Sequence, residues 1–427
     1  MLPITERVIA PGITLRAVCT NKFKTSMLAV TFLEPLREET ASLNALLPRV
    51  LRRGTQAHPD MESLSAALDD LYGGGIEPIV RKKGEVQCVG FWGSFLDDAY
   101  VPGESRILES AAALLGEIVL SPAGEGDGFL SSYVEGEKAN LIDKILSEIN
   151  DKLQYSLSRV RTLMCGDEAY GVGRLGSESS AQAITESALR NRYRALLTSA
   201  PVYFYYCGSA DSERVERAFR SAFSALPTGR RALMPRTQPS DRPVGSLRRV
   251  TETMDINQGK LVLGFRTDRS FRTLEEVARA TLFNAVFGGS TNSKLFLNVR
   301  EKLSLCYFAS SSLALSKGIL LVYSGVEFKN FQRAEEEILA QLDACREGGI
   351  SEEELEAARR SAVGTFRACL DAQGRMEEFW LNRFAAGATF TPEELAEALE
   401  RVTLEQVVEV AGRVRLDTVF TLRGKEA

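Results

Sequence analysis

The segment Leu226–Leu247, LPTGRRALMPRTQPSDRPVGSL, holds four of the 14 prolines of this 427-residue chain. Each proline removes a backbone donor and fixes φ, so neither a helix nor a central strand runs through such a stretch. It reads as a linker over 226–247 that divides the chain into 1–225 and 248–427. A length of 427 residues also favours two or three domains over one core.

The two parts repeat one order of elements. In the first, strand-like runs Ile13–Val18 and Ser26–Phe32 precede a helix over about Ala41–Arg52. Asp60 then caps a helix over Met61–Tyr72, closed by Gly73–Gly75. Strands Ile76–Arg81 and Glu85–Phe91 follow. Ile107, Ala111, Leu114, Leu115 and Ile118 then share one helical face. A single long helix is predicted over about 126–163, then strand Pro201–Cys207 and helix Ser212–Ala225. The second part opens on strand Lys260–Phe265. Capping boxes at Thr273/Glu276 and Ser351/Glu354 start two of its helices, over 274–287 and from 352 to about 370. A helix near 293–302, strands Cys306–Ser312 and Gly318–Gly325, a helix over 329–346 and a last strand Thr418–Leu422 complete it. Both parts read as strand, helices, two strands, a helix pair and a final strand, an α+β sandwich made twice.

Composition excludes several functions. The net charge of −5 supplies no basic face for nucleic acid. No apolar run approaches the length of a membrane span, and MLPITERVIAPG lacks the build of a secretory signal. The seven cysteines are odd in number and form no CxxC, which points to free thiols in the cytoplasm. His58 is the only histidine, so a two-histidine metal site is out of reach. It precedes Pro59 and reads as an exposed turn residue. Glu135 and Glu137 read as a solvated helix face. Tyr155 fits the wall of a chamber and the core equally well.

The segment Ser293–Tyr307, SKLFLNVREKLSLCY, has the form SxLFxxVRExxxLxY. It resembles the second domain of the M16 zinc peptidases, the pitrilysin and processing-peptidase family. The resemblance implies that Arg300 and Tyr307 contact substrate backbone, since a guanidinium and a phenol both donate to a peptide carbonyl. Read without the family, the same residues suit an interior tyrosine and an Arg300–Glu301 pair on a helix.

M16 peptidases hold zinc through HxxEH on a helix just before a phrase like FKGT, where two histidines at i and i+4 share one face. Here Arg52–Thr55 (RRGT) matches FKGT, which puts Ala45, Pro48 and Arg49 at the two ligand positions and the base. Alignment through Glu137–Lys138 puts Asp143 or Lys144 at the third ligand. No ligand set remains, and an arginine there repels a cation.

The resemblance therefore implies two homologous M16-type α/β sandwich domains of the LuxS/metallohydrolase-like kind. These are an N-terminal domain over 1–225 with the degenerate zinc motif and a C-terminal domain over 248–427 with the Arg/Tyr segment. It implies a non-catalytic, cytoplasmic subunit without its own cofactor. Such a subunit pairs with an HxxEH-bearing homologue, which alone carries zinc, and closes with it around a peptide or unfolded polypeptide. A stand-alone homodimeric peptide-binding or scaffold protein is the alternative. No nucleic acid or membrane partner is expected.

Overall fold

The computed structural model describes residues 3–103, 106–126, 128–239 and 244–425. Two compact units emerge. One takes the chain up to Leu146 together with Val172–Arg236; the other takes Ser147–Gly171 and everything from Thr237 onward.

The first unit is built on a six-stranded sheet. Its strands are β1 (Ile4–Ala10), β2 (Ile13–Cys19), β3 (Thr25–Pro35), β4 (Gly75–Lys83) and β5 (Val86–Leu96), with β6 (Gly124–Glu125) and β7 (Gly128–Phe129) forming a separate two-residue hairpin. With β8 (Val202–Gly208), the order across the sheet is β1-β2-β8-β3-β5-β4, antiparallel except for the β2–β8 pair. Continuous burial along β3 and β8 marks them as the centre. A core of Leu28, Val30, Phe32, Leu46, Val50, Leu115 and Phe204 joins the sheet to the helices Glu38–Leu51 and Ile107–Leu120.

Gly90 shows how tightly the sheet is drawn. It pairs with Thr31 on one side and Ile79 on the other, and a Cβ there would lie 2.0 Å from the Val30 carbonyl oxygen. Gly90→Ala is expected to destabilise the protein by about 1–3 kcal/mol through overpacking. Urea denaturation checks this, with a shifted midpoint at unchanged slope as the expected result.

The second unit carries β9 (Arg248–Met254), β10 (Gly259–Arg266), β11 (Cys306–Ala314), β12 (Ile319–Val326) and β13 (Arg415–Gly424), in the order β11-β12-β10-β13-β9. Only the β13–β9 pair is parallel. The capping boxes at Thr273/Glu276 and Ser351/Glu354 form as read from the sequence, because the reciprocal side-chain bonds are local.

Several expectations change. The long helix over 126–163 is two helices, Ser131–Ser147 and Lys152–Cys165, separated by a 3-10 turn at Glu148–Asn150. Asp151 accepts from the backbone N–H of Leu153 and Gln154 and so restarts the helix. The unit boundary does not follow the predicted 1–225 division either, since 147–171 belongs to the second unit. Leu157, Val160 and Met164 pack there against Val262, Leu321, Phe420 and Leu422. Gly264 admits the helix, because a Cβ would stand 2.3 Å from Met164 Sδ. Tyr155 donates to Glu252 on β9 at 2.6 Å. The predicted linker is anchored at its start: buried Arg231 donates to the carbonyls of Ala200 (2.6 Å), Leu197 (2.9 Å) and Pro227 (2.7 Å). Residues 240–243 of that linker lie outside the described residues. Strand β1 and the helix Glu186–Ser199 add to the predicted elements; the helix buries only Leu189 and Leu196, too sparse a stripe for periodicity to reveal.

Candidate functional site

Two places carry the residues singled out by sequence. The first is the helix Glu38–Leu51. Ala45 is fully buried, Pro48 is buried within the helix, and Arg49 is half-buried in the last turn. Asp143 and Lys144 are exposed on the helix Ser131–Ser147. An alanine methyl, a proline ring and a guanidinium offer a metal no lone pair. Among the described residues no group of three or more His, Cys, Asp or Glu is placed to hold an ion. The residues present at these positions do not fit zinc. Zinc titration of the purified chain is expected to end far below one ion per chain, and EDTA is expected to leave its thermal midpoint unmoved; both are read by elemental analysis and a melting curve.

The residues around this helix are engaged in structure. His58 is not an exposed turn residue: its Nδ1 lies 3.0 Å from Glu117 Oε1, and the Thr55 hydroxyl donates to that same carboxylate oxygen. Thr55 N donates to the His58 carbonyl at 2.6 Å and His58 N to Thr55 Oγ1 at 2.9 Å, closing the turn after RRGT. Gly54 is required there, since a Cβ would sit 2.5 Å from the Pro59 carbonyl oxygen. Glu137, expected on a solvated face, is 8% exposed and lies 3.4 Å from Arg53 Nη1. The Arg53 guanidinium in turn stacks over the Tyr133 ring at 4.9 Å. Tyr133, Glu137 and Leu141 recur every four residues, and that spacing was the available sign that Glu137 faces inward.

The second place is Leu295–Tyr307. Leu295–Lys302 is a π-helix, an uncommon form that clusters at functional sites. Leu295 and Val299 pin it to the core, and Lys294 Nζ reaches Glu354 at 2.9 and 3.0 Å. Asn298 donates to Gln341 Oε1 at 2.9 Å. Ser304 then takes φ +48°, a left-handed conformation that a non-glycine residue seldom adopts. At the start of β11, Cys306 pairs with Val326 and Phe308 with Gly325, so Tyr307 is the extra residue of a β-bulge.

This irregular backbone places the two predicted residues at the surface. Arg300 lies 4.6 Å over the Phe296 ring and 3.5 Å from Glu301, an exposed pair of little energetic weight. The pairing with Glu301 is therefore present, but the interior tyrosine is not: Tyr307 is 61% exposed. β11 is also the edge strand of its sheet, and its Ser311 N–H donates outside the ladder to the Gly288 carbonyl at 2.9 Å. Among the described residues no group of three or more His, Cys, Asp or Glu lies here to hold an ion, and the guanidinium of Arg300 and the phenol of Tyr307 are both hydrogen-bond donors.

Comparison with known proteins gives the family. Residues 183–362 match the family described as "Peptidase M16 inactive domain". A Bacillus subtilis (strain 168) protein, "Probable inactive metalloprotease YmfF", is 34% identical over 416 residues, spanning 97% of this chain and 96% of that protein. The chain belongs to the M16 metalloprotease family. It is an inactive member, without catalytic activity of its own. The M16 fold is shared with a conserved protein from Enterococcus faecalis V583 (TM-score 0.88, 27% identity, 99% of each chain). It is shared too with the M16 inactive domain from Pseudomonas fluorescens (TM-score 0.80, 17% identity, 100% and 99% of the two chains). Among the described residues no helix is long and apolar enough to cross a membrane.

Proposed function

We propose that this chain is the non-catalytic half of an M16 pair. A homologue with intact HxxEH supplies zinc and the general base, and the two form a chamber around an extended peptide. In that chamber Arg300 and Tyr307 donate to the peptide backbone beside the start of β11. One observation carries the reading: a surface-directed Arg300/Tyr307 segment, built on a π-helix and a bulge, stands in a chain with Ala45, Pro48 and Arg49 where the resemblance puts the two zinc ligands and the base. Such backbone irregularity costs stability, and a purely structural segment has no use for it. The seven free thiols favour a reducing cytoplasm as the place of action.

Co-expression with the HxxEH-bearing homologue tests the pairing. The expected result is a stable complex on size-exclusion chromatography that cleaves an unfolded polypeptide, while this chain alone does not. Elution of the two proteins as separate species, or of this chain as a homodimer indifferent to the homologue, overturns the pairing.

A further inference from the structure

The helices Glu352–Cys369 and Gln373–Ala386 of the second unit enclose an open groove of about 680 Å³, within the range of ligand sites. Its floor is apolar, with Phe366 and Phe379 edge to face at a centroid separation of 6.3 Å. Its rim carries two exposed arginines, Arg360 from one helix and Arg375 from the other. Neither has an ion-pair or hydrogen-bond partner among the described residues. That is unusual for this helix, whose Arg359 pairs with Glu356 at 2.8 Å and Arg367 with Glu400 at 2.7 Å. The one carboxylate lining the groove, Glu378, accepts from Asn382 Nδ2 at 3.3 Å.

Helix stability explains neither Arg375 nor the glycine beside the groove. Arg375 stands in the first helical turn, where the helix dipole disfavours a cation. Gly364 occupies a helix interior, where glycine is less stable than alanine. A Cβ at Gly364 would meet nothing within 4 Å, so packing does not demand its absence. What the missing side chain does provide is depth, and room for another backbone to approach.

We infer that this groove receives an acidic segment of an extended peptide. An Asp or Glu carboxylate pairs with Arg360 and Arg375, and a neighbouring apolar side chain lies over Phe366 and Phe379. A guanidinium suits a carboxylate because its planar fork donates two parallel bonds. The chain as a whole is acidic, with net charge −5, so two arginines without ion-pair partners among the described residues are a local feature that selects such a ligand. The inference rests on the peptide-binding reading above and adds which peptides are preferred.

Two fluorescein-labelled twelve-residue peptides test it, each amidated at its C-terminus, one alternating Glu with Leu or Phe and the other carrying Gln at every Glu. Fluorescence anisotropy with the full-length chain is expected to show the Glu peptide binding at least tenfold tighter than the Gln peptide. The double variant Arg360→Gln/Arg375→Gln is expected to bring the two within about twofold while leaving the Gln peptide's affinity unchanged. Gly364→Trp, which fills the groove, is expected to weaken the Glu peptide, whereas Gly364→Ala keeps it bound. Equal binding of both peptides, or a preference that survives the double variant, overturns this inference and leaves peptide binding standing. Binding of neither peptide overturns peptide binding by the isolated chain and the groove assignment together.

Discussion

Replacing Glu168 with glutamine is expected to destabilise the second unit by about 3–5 kcal/mol, the range for breaking a buried ion pair. Glu168 Oε2 lies 2.5 Å from Lys317 Nζ, and Oε1 lies 3.4 Å from Arg266 Nη1. Both cations are buried, Lys317 at 1% exposure and Arg266 at 4%. Arg266 also pairs with Asp417 at 2.8 Å, and Lys317 donates to the Gln238 carbonyl at 3.0 Å. Burial alone lowers the Arg266 guanidinium, but its bond to Asp417 and the nearby charges, Glu168 among them, outweigh this and hold it above its ordinary value.

Glutamine keeps the shape of glutamate and removes its charge, leaving the Lys317 ammonium in a site too enclosed for water to solvate it. The loss falls on the join between segment 147–171 and the second sheet, because Glu168 is on the former while Arg266 ends β10 and Lys317 lies in the turn between β11 and β12. The double variant Glu168→Gln/Lys317→Met is expected to be more stable than Glu168→Gln alone, since both charges are then gone. Urea midpoints of the three proteins decide it. A cost below about 1 kcal/mol for Glu168→Gln sinks the argument, because that is the worth of a solvated surface pair.

In the reconstituted pair, Arg300→Ala is expected to lower kcat/KM for polypeptide cleavage about 10²–10³-fold, the usual cost of losing a donor to the reacting carbonyl. Arg300 and Tyr307 are at the surface, so the thermal midpoint is expected to stay where it was. Tyr307→Phe removes one hydroxyl and keeps the ring, which separates hydrogen bonding from packing. Its hydroxyl has no partner among the described residues, so the folded protein loses no bond by the change. If both variants cleave within twofold of the parent pair, a shared site is excluded and the segment serves only to shape the edge of the sheet. If Arg300→Ala instead prevents complex formation, the residue belongs to the subunit interface.

Local features were the legible ones. The capping boxes at Thr273 and Ser351 and the cap at Asp60 need only residues three apart, and each forms as its spacing foretells. Central strands such as β3 and β8 announce themselves by unbroken apolar runs. The break at Glu148–Asp151 was legible in principle, because Asp151 is a strong N-cap, but the apolar period on either side masked it. His58 and Glu137 depart from the sequence expectation for a different reason. Each is polar and outside any apolar run, and each is drawn inward by a distant partner, Glu117 for one and Arg53 for the other. The bulge at Tyr307 had no local sign, since it depends on how β11 registers against β12.

The sequence by itself determined that the helix Glu38–Leu51 carries alanine, proline and arginine at 45, 48 and 49, none of which offers a metal a lone pair, because side-chain identity is covalent and no packing restores a missing donor atom. Only the tertiary structure decided that residues 147–171 serve the second sheet, that Glu168 neutralises two buried cations, and that Tyr307 stands in solvent. Periodicity says that a helix has an apolar face; which surface covers it depends on contacts between residues far apart in the chain, and those are fixed by the free energy of the folded whole.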